Sequence, residues 1–260
     1  MSCGEAALRY SSRTRVGTQI FHERHVAGRP SWLVHRIMGS DTKSTIAKLG
    51  AGAISIFWMT WTALSVARAE SLLLDPAKAL ASAKRIDFVG RNDFSVEESA
   101  QGAMLRSIPH KSASGLYQPV ERDGAELTRV RWRWRVDQLQ ATADVRKLAT
   151  EDFGAMIMFV FGKPSFLNRD VPTLGYVWTA TPMRNGSIIR SHRHQSLAYI
   201  QLRGSADIGL MRVEERDVAG DYRNVFGKEP GELNFIAVFN DNDQTNEPAS
   251  ALFGPIVDGR

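Results

Sequence analysis

The chain has 260 residues, 43% of them hydrophobic, enough for one globular body with a sizeable core, and a net charge of +5. The charge is unevenly spread: residues 1–69 hold nine Lys or Arg against three Asp or Glu, whereas the remainder carries 24 basic and 25 acidic side chains. After residue 69 there is therefore no overall positive field to draw nucleic acid, and the lack of cysteine there excludes disulfides as a source of stability.

Residues 1–37 contain Cys3 and half of the six His without any recognisable pattern, and are expected to be a non-native or disordered extension, with Met38 as the natural start. Residues 38–69 have the parts of a secretory signal peptide: Lys43 and Lys48, the apolar run 49–66, and small residues at Ala67 and Ala69. Cleavage before Glu70 predicts a periplasmic or secreted protein. The alternative is an uncleaved anchor, because the run of 18 residues just reaches the length of a spanning helix. A membrane is expected as a partner only through this segment.

Residues 70–83 read as a lead-in with helical character after Pro76, and 84–260 as a single domain. In residues 129–136, Val130, Trp132, Trp134 and Val136 alternate with Arg129, Arg131, Arg133 and Arg135, so period two sends the indoles to one face and the guanidinium groups to the other. Residues 153–161 are apolar on both faces and predict an inner strand. Further strands are expected at 103–107, 174–181, 187–190, 197–203, 208–214, 233–240 and 251–257. Asn185-Gly186 suits a type I′ hairpin turn. Residues 217–227 have helical spacing in Val218, Tyr222, Val225 and Phe226, closed by Gly227. The fold class that follows is mainly β: an antiparallel two-layer sandwich, jelly-roll or lectin-like, with one short crossing helix.

Several short motifs occur in a fixed order: Ser112-Ala113-Ser114-Gly115-Leu116, Trp132-Arg133-Trp134, Asp152-Phe153, Tyr176-Val177-Trp178, Asp221-Tyr222, Phe226-Gly227 and Asp241-Asn242-Asp243-Gln244-Thr245. In this the chain resembles a family of bacterial envelope domains of unknown function, over about residues 88–256. The resemblance implies a sandwich of the lectin or carbohydrate-binding type in an exported protein, and brings no catalytic residues with it.

The residues themselves offer several candidate sites. Asp241 and Asp243, with Asn240, Asn242 and Thr245, form a dense set of oxygen ligands suited to Ca²⁺ or to sugar hydroxyls; the competing explanation is a polar turn whose Asx side chains satisfy their own backbone. Arg131, Arg133 and Arg135 would match an acidic polysaccharide, or else form a solvated outer face that Glu151 and Asp152 neutralise from a neighbouring strand. His192 and His194 share one side of an extended segment, without an identifiable third ligand. Tyr176, Trp178 and Tyr199 would stack on sugars or fill the core. No G-x-S-x-G elbow, His-Glu-x-x-His helix or phosphate-cradling glycine loop occurs after residue 69.

The leading expectation is a non-catalytic protein that binds a glycan or other envelope ligand through Arg131, Arg133, Arg135, Asp152, Asp241, Asn242, Asp243 and Thr245, with Ca²⁺ at Asp241 and Asp243 as its only candidate cofactor. The alternatives are a lyase or hydrolase acting on polysaccharide, with Asp152, Asp241, Asp243, His192 or His194 as acid–base groups, and an envelope scaffold.

Overall fold

The computed structural model describes residues 70–82, 84–100, 102–163 and 171–259; the expected extension and signal segment lie outside the described residues. The first elements are β1 (Ser71–Leu74), α1 (Pro76–Ser82), β2 (Lys84–Val89), β3 (Asp93–Glu97), β4 (Met104–Ile108) and β5 (Ala113–Asp123). Then come β6 (Val130–Gln138), β7 (Ala155–Phe161), β8 (Thr173–Trp178), β9 (Ile188–Arg190) and β10 (Leu197–Arg203). The chain closes with β11 (Arg212–Arg216), α2 (Val218–Phe226), β12 (Glu232–Asp241) and β13 (Ser250–Asp258). Among the described residues no helix is long and apolar enough to cross a membrane.

The strands form a two-layer sandwich. One sheet runs β11-β6-β13-β4-β3, with β1 paired to the C-terminal half of β13; the other runs β2-β5-β12-β7-β8-β10-β9. The alternation in β6 does what period two requires: Val130, Trp132, Trp134 and Val136 are buried, and the intervening arginines are half-buried on the outer face. Trp132 meets Phe159 and Tyr176 of the opposite sheet at ring-centroid distances of 6.4 and 5.1 Å, and Trp134 meets Trp178 at 5.6 Å. Burying two indoles removes several hundred Å² from water, on the order of 5 kcal/mol or more.

Three expectations need correction. The lead-in has the expected helix after Pro76 but is not loosely packed, because β1 hydrogen-bonds to β13 and Leu73 and Leu74 are part of the core. The sandwich is not wholly antiparallel: β8 and β10 pair in parallel, so β9 lies on the far side of β10 from β8. The Asn185-Gly186 turn thus joins strands that are not neighbours. Of its two central residues only Gly186 has positive φ (+88°), and Ser187 N–H donates to the Arg184 carbonyl, which is a type II rather than a type I′ pattern. The helix at 218–226 matches its expected limits: Asp217 caps it by accepting the Gly220 N–H at 2.8 Å, and Gly227 ends it at φ +68°.

β7 is apolar on both faces for a reason other than a third layer. Ile157, Phe159 and Phe161 join the core between the sheets, while Met156 and Met158 join a second, smaller apolar cluster on the outer face, with Phe153, Tyr199 and Phe239.

Candidate functional site

That outer cluster lies at the base of a groove of about 320 Å³. Its floor comes from alternate residues of the central strands, Met156, Met158 and Val160 of β7 and Phe235 and Phe239 of β12. Its rim includes Ile86, Phe88 and Val89 of the edge strand β2. Phe88 is 59% exposed, its ring held edge-on against Phe239 at 5.6 Å.

Glu151, Asp241 and Asp243 give the groove an acidic end, which also carries Arg193 and His194. Because β7 and β12 are antiparallel neighbours, the start of β7 lies beside the end of β12, and residues far apart in sequence meet there. Asp241 Oδ1 accepts the Phe153 N–H at 2.8 Å. Asp152 accepts the Gln244 and Thr245 N–H groups at 3.3 and 2.6 Å, holding the loop after β12 in place. One oxygen from each of Asp152, Asp241 and Asp243 lies within 4.8 Å of the others. Burial, reinforced by the Asp152 charge, pushes the Asp241 carboxyl well above the usual range, and the same two causes raise Asp243.

Beside them, Glu151 is buried, and its Oε1 accepts hydrogen bonds from Ser191 Oγ at 2.7 Å and Tyr199 OH at 2.9 Å. Burial and the Glu151 charge raise the Tyr199 hydroxyl, which stays protonated as the donor.

The remaining candidates separate by sheet. Asn242 and Thr245 shape the loop: Asn242 Oδ1 accepts the Ser112 N–H at 3.1 Å, and Thr245 Oγ1 accepts the Glu247 N–H at 3.3 Å. Arg131, Arg133 and Arg135 lie on the outer face of the other sheet, away from the groove. Arg131 pairs with Glu70 and Glu215, Arg135 pairs with Asp137, and the stem of Arg133 lies over Gly254. Glu151 and Asp152 do not neutralise this face, because β6 and β7 belong to different sheets. His192 is exposed and bonds through Nε2 to the Arg146 carbonyl at 2.7 Å. Tyr176 and Trp178 are core residues, whereas Tyr199 faces the groove.

The sequence reading missed Glu151 as part of a groove, together with Ser191 and the β2 rim. The available signal was the alternate apolar set Met156, Met158 and Val160, which the core between the sheets leaves unused.

A family model described as a protein of unknown function (DUF3047) matches residues 84–257. No curated protein sequence matches. Among solved structures, a family 11 carbohydrate-binding module of a Clostridium thermocellum cellulosomal cellulase is similar at 10% identity and TM-score 0.36, covering 74% of this chain and 95% of that one. The glycoside hydrolase domain of Endo-D from Streptococcus pneumoniae R6 is similar at 8% identity and TM-score 0.35, covering 68% of this chain; the chain spans 22% of its length.

Proposed function

The chain belongs to the DUF3047 family, and we propose that it acts there as an exported ligand-binding sandwich whose groove on the seven-stranded sheet takes a glycan. The observation that carries this is the make-up of the groove, with apolar and aromatic side chains along its floor and rim and charged groups gathered at one end. Sugar rings present apolar C–H faces edged with hydroxyls. Phe88 and Phe235 offer surfaces for the first, and Asp243, Arg193 and His194 offer acceptors and donors for the second. Export is part of the proposal and rests on residues 38–69; N-terminal sequencing of the native protein should begin at Glu70.

A glycan array followed by calorimetric titration tests the binding. Phe88→Ala, at an exposed position, and Arg193→Ala are expected to weaken binding about tenfold each, the scale of losing one aromatic or charged contact; Phe88→Ala should leave the melting temperature unchanged, whereas Arg193→Ala also removes the cation facing the buried Glu151 carboxylate and should lower it. An array on which no glycan is captured, or wild-type affinity in both variants, would remove the proposal.

One observation favours an enzyme as the second reading: Asp241 and Asp243 sit side by side in the groove in unlike surroundings, one buried and one half-buried, as an acid and a base require. Product formation from a bound glycan, abolished in Asp241→Asn with binding retained, would favour catalysis.

A further inference from the structure

We propose that Asp152, Asp241 and Asp243 together hold one hard divalent cation of the Ca²⁺ class at the acidic end of the groove. Their ligand oxygens lie within 4.8 Å of one another, the span available to groups that share a single ion at about 2.3–2.6 Å. The hydrogen bonds from Phe153, Gln244 and Thr245 fix the carboxylates of Asp241 and Asp152, and each accepting oxygen keeps a second lone pair.

Acidic residues alone would not make a site, and the independent observation is a surplus of buried acceptors around them. Gln140 is fully buried; its Nε2 donates to the Asp241 carbonyl, and its Oε1, on the same planar amide, has no hydrogen-bond partner. Gln244 Oε1 is also without a partner, its Nε2 being turned to Asp243. Buried oxygens left in excess of donors cost free energy, and a cation held by the neighbouring carboxylates would remove the excess at Gln140 and Gln244.

The donor set selects the ion. It is all oxygen: there is no thiolate after residue 69, His192 is bonded to a carbonyl elsewhere, and His194, although it lines the groove, does not bring a ring nitrogen into the group of ligand atoms that lie within 4.8 Å of one another, so soft or imidazole-seeking metals have little to bind. Ca²⁺ tolerates the irregular arrangement that three carboxylates and side-chain amides provide, whereas Mg²⁺ demands near-ideal octahedral geometry.

The site does not depend on the glycan proposal, and the two are tested separately. The protein is stripped with EDTA and titrated with CaCl₂ at pH 7, with no glycan present, while its melting temperature is followed. A one-site heat and a rise of several degrees are expected, and Asp243→Asn, changed at a half-buried position so that the fold persists, should weaken Ca²⁺ binding at least tenfold. No heat and no shift at about 10 mM CaCl₂, ten times the weakest extracellular affinities, would overturn the site. So would an Asp243→Asn variant that binds Ca²⁺ as well as the wild type. Ca²⁺ binding by a protein that captures no glycan supports this site and removes the glycan proposal alone.

Discussion

The indole N–H of Trp134 donates to Glu214 Oε1 at 3.0 Å, and the same carboxylate receives Arg203 through a two-pronged contact at 2.7 and 3.0 Å. Glu214 is on β11, the edge of its sheet, and Arg203 ends β10 of the other, so this carboxylate ties the two layers together at a buried point. Glu214→Ala would leave a guanidinium and an indole N–H without their acceptor, at a cost of about 3 kcal/mol. Glu214→Gln keeps one acceptor and should lose less, and the order of the two urea midpoints checks the assignment.

Asn92 is expected to matter as much. It is buried and donates through Nδ2 to Asn240 Oδ1 at 2.7 Å and to the Asn240 carbonyl at 2.9 Å, while its Oδ1 accepts from Ser112 Oγ at 2.7 Å. Asn92→Ala strands several buried polar groups at once, and a loss of about 3 kcal/mol is expected in chemical denaturation with an unchanged denaturant slope.

Two glycines should respond differently to the same substitution. A Cβ at Gly115 would stand 2.5 Å from the Val238 carbonyl oxygen, which is backbone within the sheet and has nowhere to go. At Gly254 the nearest atom, also at 2.5 Å, is Cγ of the flexible Arg133 side chain. Gly115→Ala should therefore lower the melting temperature far more than Gly254→Ala; equal effects would contradict the close approach of β5 and β12.

The Asp144 carboxyl is lowered from 3.8 to about 2, chiefly by the Arg146 side chain, whose Nε and terminal nitrogen reach its two oxygens at 2.8 and 2.7 Å. Since the folded value lies below the unfolded one, the stability this group contributes is fully present above about pH 4 and fades as the pH falls through 2. The difference in stability between the wild type and Asp144→Asn should be constant at neutral pH and shrink between pH 4 and 2, as followed by urea midpoints across that range.

Much of this architecture is written in local patterns. β6 follows from alternation, α2 from its helical spacing and cap, and residues 197–203 of β10 from a strongly apolar run between turns. β2 and β3 escape notice because they are edge strands with several charged or exposed residues, where water competes with the pattern. β5 is hidden by Gly115 and Pro119, residues that ordinarily signal turns; here Gly115 admits the ring of Phe239, and Pro119 stands opposite Phe235 at an irregularity in the register. The same limit applies to the site. Asp241 and Asp243 announce themselves as neighbours, but their association with Asp152 depends on β7 and β12 being paired, a long-range fact that no local spacing carries. The arginines of β6 were equally conspicuous, and only the assignment of strands to sheets shows that they face elsewhere.

The position of β12 also bears on how the chain is made. This strand separates β5 from β7 in the finished sheet, yet it follows β7 by some seventy residues. During synthesis β7, apolar on both sides, must wait for its partner while one edge stands open, the state most prone to pairing with another molecule. Chains truncated before Glu232 should accumulate as aggregates rather than as a smaller soluble domain.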